Sequence, residues 1–331
     1  MTKIILSFVV SWAVTVVLMP IIKKIYSKIS AKQTILHYVK EHEEKQGTIT
    51  MGGVVFFLTT LAIVFFFLQY QTEWFFILAV SFGFALLGFL DDLIKIKYKQ
   101  NLGLRPYQKI IGQVGISIIL AFYVYFSSQG GIIVLPFTYH TINLGVWIIP
   151  IIVFVCIATT NSVNLIDGLD GLASNVSMLF IGGIITLLII YKNILFQSGA
   201  DAYSISTLNN IIILSTIFTG SLFGYTLFNT YKASIFMGDV GALGIGGFVS
   251  ALCCVVGFEL FVPILGVMYV VTALSDIIQV LHYKRTKKRI FKIAPLHHHF
   301  QKSGYSEPKI VFVYSTVTII AFLMTLLLTL I

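Results

Sequence analysis

The chain is poor in charge, above all in negative charge. Of its 331 residues only 11% are charged, and Asp and Glu together number 13 against 22 Lys and Arg. A soluble domain of this size needs a wet, ionic surface, so a composition that is 57% hydrophobic excludes one. Cysteine is equally scarce: Cys156, Cys253 and Cys254 all lie inside apolar runs. That placement excludes a disulfide framework or a cysteine zinc site and leaves three small core residues. Low-complexity tracts, internal repeats and a separate polar segment long enough to fold as a domain are also lacking.

What is present is a series of apolar runs, each near the 17 to 25 residues that a bilayer crossing requires. Ten such runs are read, near 4–22, 51–69, 74–90, 110–126, 143–160, 172–190, 207–228, 240–257, 260–280 and 310–330. The first is expected to remain as a span, because it is long, lacks a small-residue cleavage site and is followed by Lys23, Lys24 and Lys28. The expected fold is an all-α polytopic membrane protein, a single integral-membrane domain over 1–331 with ten transmembrane helices.

Lys and Arg accumulate on the cytoplasmic side of membrane proteins. With the N-terminus outside, the inner loops collect every one of the 22 basic residues except Lys3 and Lys192. Both termini are therefore expected on the outer side. The same topology sorts the acids: Asp91, Asp92, Asp167, Asp170 and Asp239 fall at inner ends of spans, whereas Glu73, Asp201 and Glu259 fall on outer connections. Carboxylates at span ends are costly and mark function by default, so a cytoplasmic active-site cleft is expected. Residues 127–142, with Gly130, Gly131 and Pro136 between short β-prone runs, suggest an outer hairpin.

Five stretches carry chemistry. The central one is N-S-V-N-L-I-D-G-L-D-G-L-A at 161–173. Asp167 and Asp170 are three apart, and if the stretch is helical they share a face and can address one ligand. The segment 42–53 closes on T-I-T-M-G-G, where paired glycines let backbone N–H groups approach an anion and Lys45 adds a donor; a plain juxtamembrane loop is the alternative. G-F-L-D-D-L-I-K at 88–95 precedes G-L-R-P-Y-Q-K at 103–109, pairing adjacent acids with a phosphate-binding candidate, Lys109; a solvated helix end is the alternative. F-M-G-D-V-G at 236–241 reads as a tight turn opening a helix, with Asp239 either a cation ligand or a simple cap.

The last stretch, 282–309, joins the basic run K-R-T-K-K-R to P-L-H-H-H-F. The basic run reads as an anchor on anionic lipid, with no nucleic acid implied. Consecutive His297, His298 and His299 cannot all face one way, so one or two of them reach phosphate or a carboxylate. Carboxylates with lysines around phosphate are the equipment of magnesium-assisted phosphoryl transfer.

Taken together, M-G-G (51–53), L-D-D (90–92), the 161–173 stretch, F-M-G-D-V-G and P-L-H-H-H-F resemble the polyprenyl-phosphate N-acetylhexosamine-1-phosphate transferases, in order and from about residue 20 onward. The three histidines followed by E-P-K resemble the branch acting on UDP-N-acetylmuramoyl-pentapeptide in peptidoglycan synthesis. The resemblance implies a multi-pass protein of the bacterial inner (cytoplasmic) membrane. Its substrates would be that nucleotide and undecaprenyl phosphate, its cofactor Mg2+, and a homodimer is an open assembly state.

Residue by residue, the resemblance puts Asp91 and Asp92 near the lipid phosphate and makes Asp239, with Asp167, the metal site. Asn164 and Asp167 would line the cleft, and Gly168, Leu169, Asp170, Asn229 and Phe236 would surround the uridine, Phe236 by stacking. Lys45, Lys109, His297, His298 and His299 would contact the phosphates or the sugar-peptide side, with His298 counted among the catalytic groups. One departure is Ile49, where the family has proline, which frees a φ angle in that turn. A sister transferase of N-acetylglucosamine-1-phosphate and an ion-coupled secondary transporter are the rival functions, the second expected to hold its acids near mid-membrane.

Overall fold

The computed structural model describes residues 1–28, 47–98, 102–127 and 130–331. Lys45 lies outside the described residues. Twelve α-helices are found among those described: α1 (Thr2–Lys28), α2 (Gly53–Phe67), α3 (Thr72–Tyr98), α4 (Pro106–Ser127), α5 (Ile148–Ile166), α6 (Leu172–Gln197), α7 (Ala202–Asn229), α8 (Gly238–Val255), α9 (Phe261–Leu265), α10 (Val267–Thr286), α11 (Leu296–Gln301) and α12 (Glu307–Leu330). With their apolar composition they make an all-α polytopic membrane protein.

Eight of these helices are long and apolar enough to cross a membrane. The other two expected spans are helical but differ in form. α2 has 15 residues, about 22 Å at 1.5 Å per residue, against a hydrocarbon core of about 30 Å. The run expected at 260–280 is broken: α9 stops at Leu265, Gly266 leaves helical geometry (φ −87°, ψ 29°), and α10 continues into the polar H-Y-K-R-T turn.

The expected hairpin is present as β1 (Ile132–Val134) paired antiparallel with β2 (Thr141–Asn143), Ile133 opposite Ile142. The hairpin is tied to the end of α8 by Val134 N–H, which donates to Gly257 O at 2.8 Å.

Helix α8 is the axis of the molecule. In its apolar window 83% of residues are buried, against 22% for α1 and α12, which leaves those two at the periphery. Small residues let α8 and α3 approach closely, as helices in lipid require. A Cβ at Gly88 would run into the Asp239 backbone, one at Gly247 would lie 2.7 Å from Phe84, and Ser81 Oγ donates to Gly244 O at 2.9 Å. Gly88 therefore sets the register that brings the end of α3 to the start of α8. Buried apolar residues from Met19 to Tyr314 form one continuous cluster.

Candidate active site

The acids of α3 and α8 meet where those helices cross. Asp91 is fully buried, Asp92 is 4% exposed, and with Asp239 they offer oxygens that all lie within 4.8 Å of one another. Three carboxylates at that separation repel strongly unless cations balance them. Two ammonium groups do so. Lys95, one turn beyond Asp91 on α3, places Nζ 2.6 Å from Asp91 and 3.1 Å from Asp239. Lys109, in the first turn of α4, lies 2.6 Å from Asp239 and 3.1 Å from Asp91.

Each acid also has a backbone or amide partner that fixes its direction. Asp91 Oδ1 accepts from Leu104 N–H at 2.7 Å, holding the turn that leads into α4 and Lys109. Asp92 Oδ2 accepts from Val240 N–H at 3.1 Å, satisfying an orphan donor at the start of α8. Asn164, in the last turn of α5, donates to Asp239 Oδ1 at 3.1 Å. Below it, Asn161 and Gln113 exchange amide hydrogen bonds of 2.8 and 3.3 Å, locking α5 to α4.

Asp167 and Asp170 do not share a helix face. α5 ends at Ile166, and 167–171 is a turn closed by Gly171 (φ 76°) before α6 begins. Asp167 remains in the field of the cluster: desolvation first, then the charges of Asp239, Asp92 and Asp170, push its carboxyl well above the usual range. Asp239 with Asp167 is the expected metal site; the carboxylate oxygens of Asp239, Asp91 and Asp92 lie within 4.8 Å of one another, and Asp167 stays in the field of Asp239 and Asp92. All-oxygen donors of this kind, two of them buried, suit a hard divalent cation.

Asp170 turns to the opposite side. Its Oδ2 accepts from Ala233 N–H at 2.9 Å, and Asn229 Oδ1 accepts from Gly171 N–H at 3.2 Å while its Nδ2 donates to Ile235 O at 3.0 Å. These bonds knit the 167–171 turn to the segment 229–236, with half-buried Phe236 beside it and Leu169 buried. The M-G-G stretch joins the same loop: Gly52 and Gly53 donate to Phe236 O and Met237 O at 2.8 and 3.0 Å, and Phe236 N–H donates to Ile49 O at 2.8 Å. Ile49, the departure from the family proline, is 9% exposed and packs in the core.

The histidines divide as their spacing demands. His297 is fully buried, and the Nε2 atoms of His297 and His298 both lie against Gly168, where a Cβ would collide with them. His299 faces away and accepts from Lys292 N–H through Nδ1 at 3.0 Å. Sequence reasoning named Lys95 only as part of a helix end, although its i+4 spacing from Asp91 was a usable signal. Gln301 and Glu307, which tie α11 to the 167–171 turn, carried no such signal, because their partners lie on other elements.

The model of glycosyl transferase family 4 matches residues 74–257, which contain Asp91, Asp92, Asn164 and Asp239. Phospho-N-acetylmuramoyl-pentapeptide-transferase of Clostridium botulinum (strain Eklund 17B / Type B) is 39% identical over 95% of this chain and 93% of its own length. Proteins of the same name from Clostridioides difficile (strain 630) and Thermoanaerobacter sp. (strain X514) are 37% and 38% identical, over 96% of this chain in both cases and 95% and 96% of theirs. Similarity of that extent runs through every element that builds the site, and the chain belongs to the glycosyl transferase family 4 and, within it, to the phospho-N-acetylmuramoyl-pentapeptide transferases.

Proposed function

We propose that this protein transfers phospho-N-acetylmuramoyl-pentapeptide from its UDP-linked form to undecaprenyl phosphate, forming lipid I and releasing UMP. The observation that carries this reading is the convergence of Asp91, Asp92 and Asp239 with Lys95 and Lys109 at helix ends, beside the 167–171 turn and the α11 histidines. Acids and lysines in that density serve a substrate rich in phosphate.

In this reading ten spans, with α2 and the α9–α10 pair among them, place both termini outside and the acids at the cytoplasmic surface. The lipid tail lies between helices, and its phosphate enters beside Lys95 and Lys109. Asp170, Asn229, Leu169 and Phe236 hold the uridine, which aims the diphosphate at the acids. Asp239, Asp91 and Asp92 would hold Mg2+, which would supply positive charge against the diphosphate and the departing phosphate.

An oxygen of the lipid phosphate forms a bond to the sugar-bearing phosphorus as the bond to the UMP oxygen breaks. A phosphate monoester has a second pKa of about 6, so near neutral pH the nucleophile is mostly ready without a protein base. Lys109 and Lys95 screen the approach of one anion to another. Trapping a phosphorylated or nucleotidylated aspartate during turnover would overturn direct attack.

The deciding experiment measures UMP release from UDP-N-acetylmuramoyl-pentapeptide with undecaprenyl phosphate, with and without Mg2+, for wild type and Asp239→Ala. Release by wild type with Mg2+ alone supports the reading. Release from UDP-N-acetylglucosamine in its place supports the sister transferase. Single-cysteine labelling at Lys3 and Lys287 from either side of sealed vesicles tests the orientation, with opposite sides expected.

A further inference from the structure

Two side-chain amides meet between α4 and α5, about one helical turn from the acids. Gln113 is fully buried, and its Nε2 donates to Asn161 Oδ1 at 3.3 Å, while Asn161 Nδ2 donates back to Gln113 Oε1 at 2.8 Å. Asn161 Nδ2 also donates to Ile157 O at 2.7 Å, and Ser117 Oγ donates to Gln113 O at 2.7 Å. Each amide oxygen faces a nitrogen of the other group, so the orientation of both is fixed.

The places of the two amides in their helices tie them to the site. Gln113 lies four residues after Lys109 and Asn161 three before Asn164, so each amide shares a helix face with a residue that reaches Asp239. Lys109 Nζ lies 2.6 Å from Asp239 Oδ2, and Asn164 Nδ2 donates to Asp239 Oδ1 at 3.1 Å. The two oxygens of one carboxylate are therefore gripped by α4 and by α5, and both grips hold only while those helices keep their register. On its other side α4 meets α3 through apolar neighbours, Gly112 facing Leu87 and Gly83 facing Ile116. Apolar surfaces slide past one another at little cost, and in lipid no hydrophobic force opposes the slip. An N–H to oxygen bond is lost by about 3.6 Å, so two of them between the same groups resist a slip that apolar packing permits.

We infer that Gln113 and Asn161 are positioning residues: their amide pair fixes the register of α4 against α5 and thereby holds Lys109 and Asn164 on the two oxygens of Asp239. The inference rests on the function proposed above and deepens it, by naming what keeps the charged groups of that site in place. Gln113, being fully buried, acts on the reaction through the helix that carries Lys109. Displacing groups that meet charge growing in the transition state lowers kcat more than it raises KM.

Gln113→Leu and Asn161→Leu each leave one amide without its partner. The double variant replaces both by apolar groups, which removes the unpaired amide and is expected to return Tm towards wild type. The exchange Gln113→Asn with Asn161→Gln moves one methylene from α4 to α5 and keeps both bonds. In each single variant kcat for UMP release is expected to fall about tenfold, the effect of one lost hydrogen bond, with KM within about threefold of wild type. The double variant is expected to stay about tenfold down in kcat although its Tm recovers, and the exchange to return kcat to within about threefold. A kcat that follows Tm through all four variants overturns the inference, because glue alone would behave so. An exchange variant as impaired as the double, or a KM that rises as far as kcat falls, overturns it too. So does Asn161→Leu far more impaired than Gln113→Leu, which marks Asn161 as a substrate contact in its own right.

A second measurement needs no turnover and separates this inference from the transferase reading. The side chains of Lys109 and Lys95 are 24% and 30% exposed, so a water-soluble amine-acylating reagent reaches both, and mass spectrometry of peptides reads the rate at each. Lys95 is held on α3 by Asp91, four residues before it, and serves as the internal control. In Gln113→Leu and in the double variant, acylation of Lys109 is expected to rise severalfold relative to Lys95, and in the exchange variant to match wild type. An unchanged Lys109 rate, or both lysines rising together, overturns the inference. Wild type that releases no UMP from the pentapeptide substrate, with Lys109 still loosened by Gln113→Leu, overturns the proposed function and leaves the amide pair its positioning role.

Discussion

Two acids stand near opposite ends of α8, a helix of 18 residues and about 27 Å, and their surroundings differ. Asp239 meets two lysines. Glu259, just past the other end and 2% exposed, has no hydrogen-bond partner for either carboxylate oxygen among the described residues. Burial without a cation favours the neutral acid and raises the Glu259 pKa from its ordinary 4.5 to about 8.

The sign follows from proton binding. Between about 4.5 and about 8 the folded protein holds a proton that the unfolded chain has released, so stability falls as pH rises through that window and levels off above it. Each pKa unit corresponds to about 1.4 kcal/mol, which makes the full loss on the order of 5 kcal/mol. Glu259→Gln replaces the neutral acid by a neutral amide of the same shape and removes the loss. Thermal unfolding in detergent from pH 5 to pH 9 is the assay. Wild type and variant are expected to have similar Tm at pH 5 and to diverge in favour of the variant as pH rises. Parallel curves, or a variant less stable at pH 9, would refute the reasoning.

Other outcomes concern the cluster and its supports. Asp91→Asn and Asp239→Asn are each expected to lower kcat by about 10²-fold or more, as loss of an organised charged group in a phosphoryl-transfer site does, measured as UMP release. Chelation by EDTA is expected to abolish release, and added Mg2+ to restore it. Gly88→Ala forces a Cβ against the Asp239 backbone; it is expected to cost about 1–3 kcal/mol of stability and to lower activity with it, read by Tm and UMP release together. Gly168→Ala pushes on His298 and on fully buried His297 and is expected to raise KM for the nucleotide substrate and to lower Tm.

The membrane character, the apolar runs and most of the residues that the candidate site gathers were legible in the chain itself. Long apolar stretches are read from composition, because lipid forces each span to satisfy its own backbone. Acids at the ends of such spans stand out because they are costly there. The 161–173 stretch and the histidine triplet are likewise visible as local strings.

Which acids meet was not legible. Asp167 and Asp170 are neighbours in sequence, yet the turn after Ile166 sends them in different directions, one toward Asp239 and the other to Ala233 N–H. Asp91 and Asp239 are 148 positions apart, and they join because a glycine on α3 lets its helix touch the backbone at the start of α8. The broken helix at Gly266 and the path from Glu307 through Gln301 to His298 belong to the same class. Local strings report what a residue costs where it stands; contact between distant segments depends on how closely two helices can approach, and that is decided only once they pack.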